Sequence, residues 1–224
     1  MLVNADLHLH SKYSRGTSFN MELPVLGEQA IYKGLDLLGT SDCLHGRWLT
    51  HIKNTLEDLG NGIFQDKKHP TKFILQTEVE GLHRIHHVVL LPSIEAAERL
   101  RAAFKPHGNL ESDGRPKLRL SGKQILEEVH SVGGIAGPAH AFTPYTAVYA
   151  AFDAVYDCYG NKPDFLELGL SANTEMANSI EELKDITFIT NSDAHGPWPH
   201  RIGREFNRLE VKELSFGGVA EALK

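Results

Sequence analysis

Short apolar runs recur along this sequence with helical patterns between several of them, and nearly every run carries a histidine or an acid at an end. The first, beginning at Val3, leads into His8-Leu9-His10, and Leu35 to Thr40 leads into Ser41-Asp42. Lys72 to Gln76 leads to Thr77-Glu78, Arg84 to Leu91 carries His86 and His87, and Ile135 to Ala139 ends at His140. Ile186 to Asn191 runs into Ser192-Asp193-Ala194-His195. Near-continuous apolar runs of this length suit strands buried on both faces. Alternation with helices argues for parallel strands, whose C-terminal ends share one rim. A fold of this kind would gather polar residues from both ends of the chain at one mouth.

The intervening helices have recognisable ends. Glu22 to Lys33 is expected to be helical, capped by Asn20 or Ser18 and stopped by Gly34. A second helix is expected from about Arg47 to Leu59, closed by Gly60-Asn61-Gly62. Ser93 to Phe104 and Ser121 to Val132 follow, with a serine at each start, and Thr174 to Leu183 is a further candidate. No linker or repeat divides the chain, so residues 1–224 are expected to form one α/β domain. The length suits a barrel of six to seven β/α units better than eight. An open doubly wound sheet is the alternative, but no G-x-G-x-x-G fingerprint is present.

Composition narrows the function classes. The net charge of −6 argues against a module held on nucleic acid by charge alone. No stretch approaches the ~20 apolar residues of a membrane span. The N-terminus lacks a secretory pattern, and Cys43 and Cys158 are too few and too far apart for a disulfide framework or zinc ribbon. A reducing cytoplasm is the expected location. Thirteen histidines are the outlier, so their placement matters.

In an extended chain, side chains at i and i+2 leave the same face, so His8 and His10 project together. Asp193 and His195 repeat that spacing near the other end. Imidazoles and carboxylates converging on one rim can hold a transition metal. Each residue also has a structural role open to it: Asp42 as a helix cap, His140 as a core histidine, His45 on a helix surface. The coincidence of the whole set favours the metal site. Arg115, Arg201 and Arg204 are candidates for substrate phosphate, because guanidinium forks match phosphate oxygens. The loop from Asn109 to Arg119 could lie over the mouth. Tyr13, Trp48 and Trp198 are candidates to stack on a base, with packing as their default role.

In order and spacing these residues resemble the PHP (polymerase and histidinol phosphatase) superfamily, over nearly the whole chain. The matching motifs are His8-Leu9-His10, Thr40-Ser41-Asp42, Glu78, His86 or His87, His140, and Asp193-Ala194-His195. Longer stretches resemble the endonuclease Q and UvrD/Rep-associated branch: Gly108 to Pro116, Pro138-Ala139-His140, Glu167 to Ser171, Asn191 to His195, and Gly203-Arg204-Glu205. His45, three residues after Asp42, follows that branch, whereas Cys43 departs from the many PHP proteins with histidine there. The resemblance is expected to stop short of that branch's C-terminal zinc module and helical part, because no cysteine cluster is present; base-specific cleavage is therefore not carried over with the phosphoester chemistry.

The resemblance implies a distorted (β/α)7 barrel holding two or three divalent ions, with Zn, Mn or Fe favoured by the imidazole count. It implies one ion on His8, His10, Glu78 and Asp193, and a second on Glu78, His86 or His87, and His140. A third would involve Asp42 or His45 with His195, and Asp193, His195 and His45 would carry the catalytic roles. The implied reaction is hydrolysis of a phosphate ester by a metal-bridged hydroxide, with DNA among the candidate substrates. Alternatives are a small-molecule phosphatase, an amidohydrolase-like enzyme, and a non-catalytic metal-bound interaction domain.

Overall fold

Strand β1 (Leu2–Asp6) starts a mixed central sheet. It pairs in parallel with β2 (Leu37–Gly39), which pairs in parallel with β5 (Lys72–Glu80). The nine residues of β5 organise the sheet. Their first half also receives the hairpin β3 (Leu56–Asp58) and β4 (Ile63–Asp66), and their second half pairs antiparallel with β6 (His86–Leu91). β7 (Ile135–Pro138) adds antiparallel to β6, and β10 (Asn207–Glu210) adds antiparallel to β1. β8 (Leu166–Glu167) and β9 (Phe188–Ile189) form a separate parallel pair, tied back through the bridge Leu9–Ala194 and through backbone bonds from Asp164 N to Ala136 O and from Ala141 N to Glu167 O. Neither sheet closes on itself. This computed structural model describes residues 1–224.

The expectation of parallel strands is therefore corrected for half of the sheet. Only the five residues 81–85 separate β5 from β6, and a parallel crossover needs about a dozen or more. The second helix, α2 (Gly46–Thr55), ends earlier than the sequence suggested, and Leu56 opens a hairpin instead. Gly60-Asn61-Gly62 is the turn of that hairpin, with positive φ at all three residues. Around it, Leu56, Ile63 and Phe64 are buried, which favours pairing over more helix. The stretch from Thr174 to Leu183 breaks into α6 (Thr174–Asn178) and a single 3₁₀ turn.

Elsewhere the local signals act as expected. α1 (Leu23–Lys33) buries Leu23, Leu26 and Ala30 and stops at Gly34, whose φ is 68°. Its N-cap is Glu22, without the side-chain cap expected from Asn20 or Ser18. α3 (Ile94–Phe104) is capped by Ser93, and α4 (Gly122–Ser131) by a capping box of Ser121 and Gln124. Two further helices are α5 (Val155–Tyr159) and α7 (Phe216–Ala222).

Alternation along the strands divides the core in two. Val3, Ala5, Leu37, Ile74, Val88, Leu90, Ile135, Ile189 and Leu209 face a cluster of 17 buried residues, which Phe216 and Val219 of α7 also join. The larger cluster of 42 lies between the opposite strand faces and the helices. Residues of both sheets thus share the smaller, inner core, and the polar groups lie at the strand ends.

Candidate metal centre

Two triads of ligand-type side chains form here: His8, His10 and Asp193, and Glu78, His86 and His140. Within each, the ligand-type atoms lie within 4.8 Å of one another. Glu78 joins the two. Its Oε1 lies 3.0 Å from His86 Nδ1, 3.1 Å from His140 Nε2 and 3.5 Å from His8 Nε2, while Oε2 lies 3.5 Å from His10 Nε2. Asp193 Oδ1 is 3.0 Å from His10 Nε2 and 3.8 Å from His8 Nε2. Glu78 sits on the same face of β5 as Ile74, which sends its side chain to the inner-core side of the sheet.

Each of three imidazoles is backed by an outer carboxylate. His8 Nδ1 lies 3.0 Å from both oxygens of Glu167, His10 Nδ1 is 3.4 Å from Asp42, and His86 Nε2 is 3.4 Å from Glu80. Such a carboxylate takes the proton on the far nitrogen and leaves the near nitrogen's lone pair facing inward. Asp42, expected among the ligands, thus stands behind His10; its Oδ2 accepts from Ser11 N at 2.7 Å and Ser14 Oγ at 2.8 Å. Glu167 was not singled out as a site residue from the sequence. It also accepts from Asn191 Nδ2 at 2.7 Å and from the His140 amide at 2.9 Å. Its signal was present in the stretch Glu167 to Ser171, but a two-residue strand gives no periodicity to place the side chain.

Of the adjacent histidines on β6, His86 faces Glu78, on the inner-core side with Val88 and Leu90. His87 turns to the helix layer and meets the Tyr159 hydroxyl of α5 at 2.6 Å, outside both triads. Burial pushes its pKa down to about 3, so it is neutral. This corrects the inclusion of His87 among the ligands, and strand alternation is the reason.

Charge around the triads is concentrated. Burial opposes a charged imidazole at His8, yet Glu167 and Glu78 outweigh it and raise its pKa to about 9. At His10 burial is likewise outweighed, by Asp193 and Asp42, which hold its pKa well above the usual value. For Glu78 burial favours the neutral acid, but His86 and His8 keep the carboxyl well below its ordinary range. Burial raises Asp6 to about 6 despite hydrogen bonds from the Ser192 and Gly203 amides. Three non-glycine residues at the strand ends sit at positive φ: Ser41 at 63°, His140 at 30° and Asp193 at 47°. Backbone strain of this kind concentrates where function overrides local preference.

The other candidates lie around this centre. The His195 ring is 4.5 Å from that of His10, and its Nδ1 donates to the Asp193 carbonyl at 3.0 Å. His45 belongs to neither triad; it is the N-cap residue of α2 and stacks on Tyr13 at 4.4 Å. Arg115 lies on the loop that does cover the mouth, with Nη1 3.1 Å from Glu78 Oε2. The neighbouring Gly114 passes so close that an added Cβ would fall 2.1 Å from Asp42 Oδ2. Arg204 donates from Nε to the Ser192 carbonyl at 2.8 Å, and Arg201 is exposed on the same loop. A cleft of about 300 Å³ opens beside the centre between His140, Asp193, Tyr145 and Ser171.

The donor set fits divalent cations. His8 Nε2 is fully buried, faces both triads and has no hydrogen-bond partner. Directed between carboxylates, with its far nitrogen already committed to Glu167, this nitrogen has the arrangement of a metal ligand once its proton is displaced. No helix in the protein is long and apolar enough to cross a membrane.

Comparison with known proteins places this centre in context. No family model matches the chain. The lesion-specific endonuclease Q of Pyrococcus furiosus superposes with a TM-score of 0.96 at 42% identity, over 100% of this chain and 56% of that one. Endonuclease Q in complex with a 27-mer duplex bearing an abasic lesion at its active site gives 0.95, with the same identity and coverage. A candidate metal-dependent phosphoesterase from Bifidobacterium adolescentis shares the fold at 17% identity and a TM-score of 0.62, covering 98% of this chain and 95% of that one. Two uncharacterised curated relatives come from Methanocaldococcus jannaschii (39% identity over 65% of this chain) and Bacillus subtilis (29% over 99%). The chain matches 17% and 62% of their lengths, so it spans less than two thirds of these curated relatives. The likeness to the endonuclease Q branch of the PHP proteins extends over the whole chain.

Proposed function

We propose that this chain is a metal-dependent phosphoesterase domain of PHP type that cleaves phosphodiesters, with DNA as the substrate class. The observation that carries the proposal is Glu78, one buried carboxylate lying between two triads. His8, His10, Asp193 and Glu78 would hold one divalent ion, and Glu78, His86 and His140 a second. His195 beside His10 is the residue placed to complete a third. Mixed imidazole and carboxylate donors favour Zn, Mn or Fe over Mg. Bound there, such ions would supply a water ionising near neutrality and positive charge for the phosphoryl oxygens.

The chain's own groups do the rest. Glu167, Asp42 and Glu80 orient the imidazoles. His195, part-exposed with Nδ1 already donating to the Asp193 carbonyl, leaves an Nε2 lone pair that would serve as a ligand to the third ion. Arg115, Arg201 and Arg204 surround the mouth with guanidinium groups suited to phosphate. Likeness over the whole of this chain to 56% of endonuclease Q, solved with duplex DNA, supports the diester over the monoester. The inner core shared by strands of both sheets supports a distorted seven-unit barrel as the architecture.

Elemental analysis of the purified protein, paired with hydrolysis of bis(p-nitrophenyl) phosphate and p-nitrophenyl phosphate, tests the proposal. Two or more equivalents of Zn, Mn or Fe and preference for the diester are expected, with both lost in Asp193→Ala. A metal-free protein, or hydrolysis indifferent to that substitution, overturns it. Cleavage of a duplex with one abasic site, against an undamaged duplex, decides whether lesion recognition resides in this chain.

A further inference from the structure

Two loops that flank the centre combine exposed aromatic rings with cations. The loop after β1 runs through residues 11–22, and the loop after Asp193 through residues 194–206. They are joined where the Ser18 amide donates to the His195 carbonyl at 2.8 Å. Next to Ser18, Phe19 is 86% exposed; three residues beyond His195, Trp198 is 47% exposed. The indole lies over Gly196, with Cδ1 3.3 Å from where a Cβ there would sit. Both rings therefore belong to the segments that meet at His195.

The same segments break with the charge of the chain. Residues 11–22 and 194–206 contain Lys12, Arg15, Arg201 and Arg204 against two acids, Glu22 and Glu205, in a chain of net charge −6. Lys12 is matched by Glu22, but Arg15, Arg201 and Arg204 are exposed. Tyr13 and Trp48, the other aromatic candidates, are occupied: Tyr13 stacks on His45, and the buried Trp48 donates to the Thr40 carbonyl at 2.8 Å. Free aromatic faces interleaved with arginines suit a strand whose bases are unpaired, because bases stack on the rings while arginines follow the phosphates.

We infer that Phe19 and Trp198 are stacking platforms for unpaired nucleobases flanking the phosphate at the centre, with Arg15, Arg201 and Arg204 tracking the backbone. The inference rests on the proposed phosphodiester chemistry, since it seats the strand against the same mouth. It adds the partner's form, a nucleic-acid strand locally opened beside the cleavage position.

Tryptophan emission provides the test. Of the two tryptophans, Trp48 is buried, so quenching by added nucleic acid reports Trp198. The protein is titrated in EDTA with a short single-stranded DNA and with the same backbone made wholly of abasic residues. The base-bearing strand is expected to quench emission and the abasic strand not to. Phe19→Ala and Trp198→Ala should each weaken binding of the base-bearing strand about tenfold, with Trp198→Tyr restoring most of the loss. Thermal melting confirms that each variant is folded. Unchanged emission at saturation, or equal affinity in the alanine variants, overturns the inference. Hydrolysis of bis(p-nitrophenyl) phosphate by the unsubstituted protein is scored separately. Its absence with quenching intact removes the catalytic reading and leaves the strand surface standing; its presence without quenching does the reverse.

Discussion

At the residue scale, the position of a proton on each imidazole governs the centre. Glu167 backs His8, so Glu167→Gln should weaken metal binding about 10–100-fold, measured by competition with a chromogenic chelator. His86→Ala should lose metal, whereas His87→Leu should keep it and cost about 1–3 kcal/mol of stability by leaving the Tyr159 hydroxyl unpaired. Chemical denaturation and elemental analysis separate the two. pH acts with a defined sign. In the metal-free protein His8 is raised from 6.5 to about 9, so its contribution to stability is complete below about 6.5 and is lost as pH rises toward 9. Metal and proton compete for His8 and His10, so metal affinity should rise over that same window with protons released. Calorimetry in buffers of different ionisation enthalpy checks this. Five of the six triad residues were legible in the sequence because they follow apolar runs, while His86 opens one. The choice between His86 and His87 was not, because neighbours on a strand differ only in which face is inner.

At the scale of elements, connection lengths held information that β-α alternation concealed. Five residues between β5 and β6 exclude a crossover, and the antiparallel pair followed from that. The hairpin of β3 and β4 was harder to see, because Gly60-Asn61-Gly62 signals a helix stop as well as a turn. Gly62 tests it: at φ 78°, an added Cβ would lie 2.6 Å from both Phe216 Cβ and Pro92 O. Gly62→Ala should destabilise the protein by about 1–3 kcal/mol, read by urea denaturation, with metal content retained. Gly114→Ala should act oppositely on those two readouts. Its Cβ would strike Asp42 and Ser14, so the covering loop must lift Arg115 from Glu78 and loosen the centre.

For the whole molecule, the centre is a joint between distant parts of the fold. β8 and β9 share no ladder with the main sheet and are held to it through Leu9–Ala194, Asn191 and Glu167. Divalent ions bridging His8, His10 and Asp193 would span that joint, so metal loading should raise Tm and EDTA should lower it, with a shift that grows with free metal. The positions of those ligands also set a timetable. His8 and Asp193 are 193 − 8 = 185 positions apart. At ~5–20 residues per second, translation separates them by roughly ten seconds or more. During that interval the nascent chain holds two histidines of the first triad without the aspartate. The complete grip on an ion therefore comes only after Asp193 has been made, and a ribosome-bound chain stalled before Asp193 should retain metal poorly.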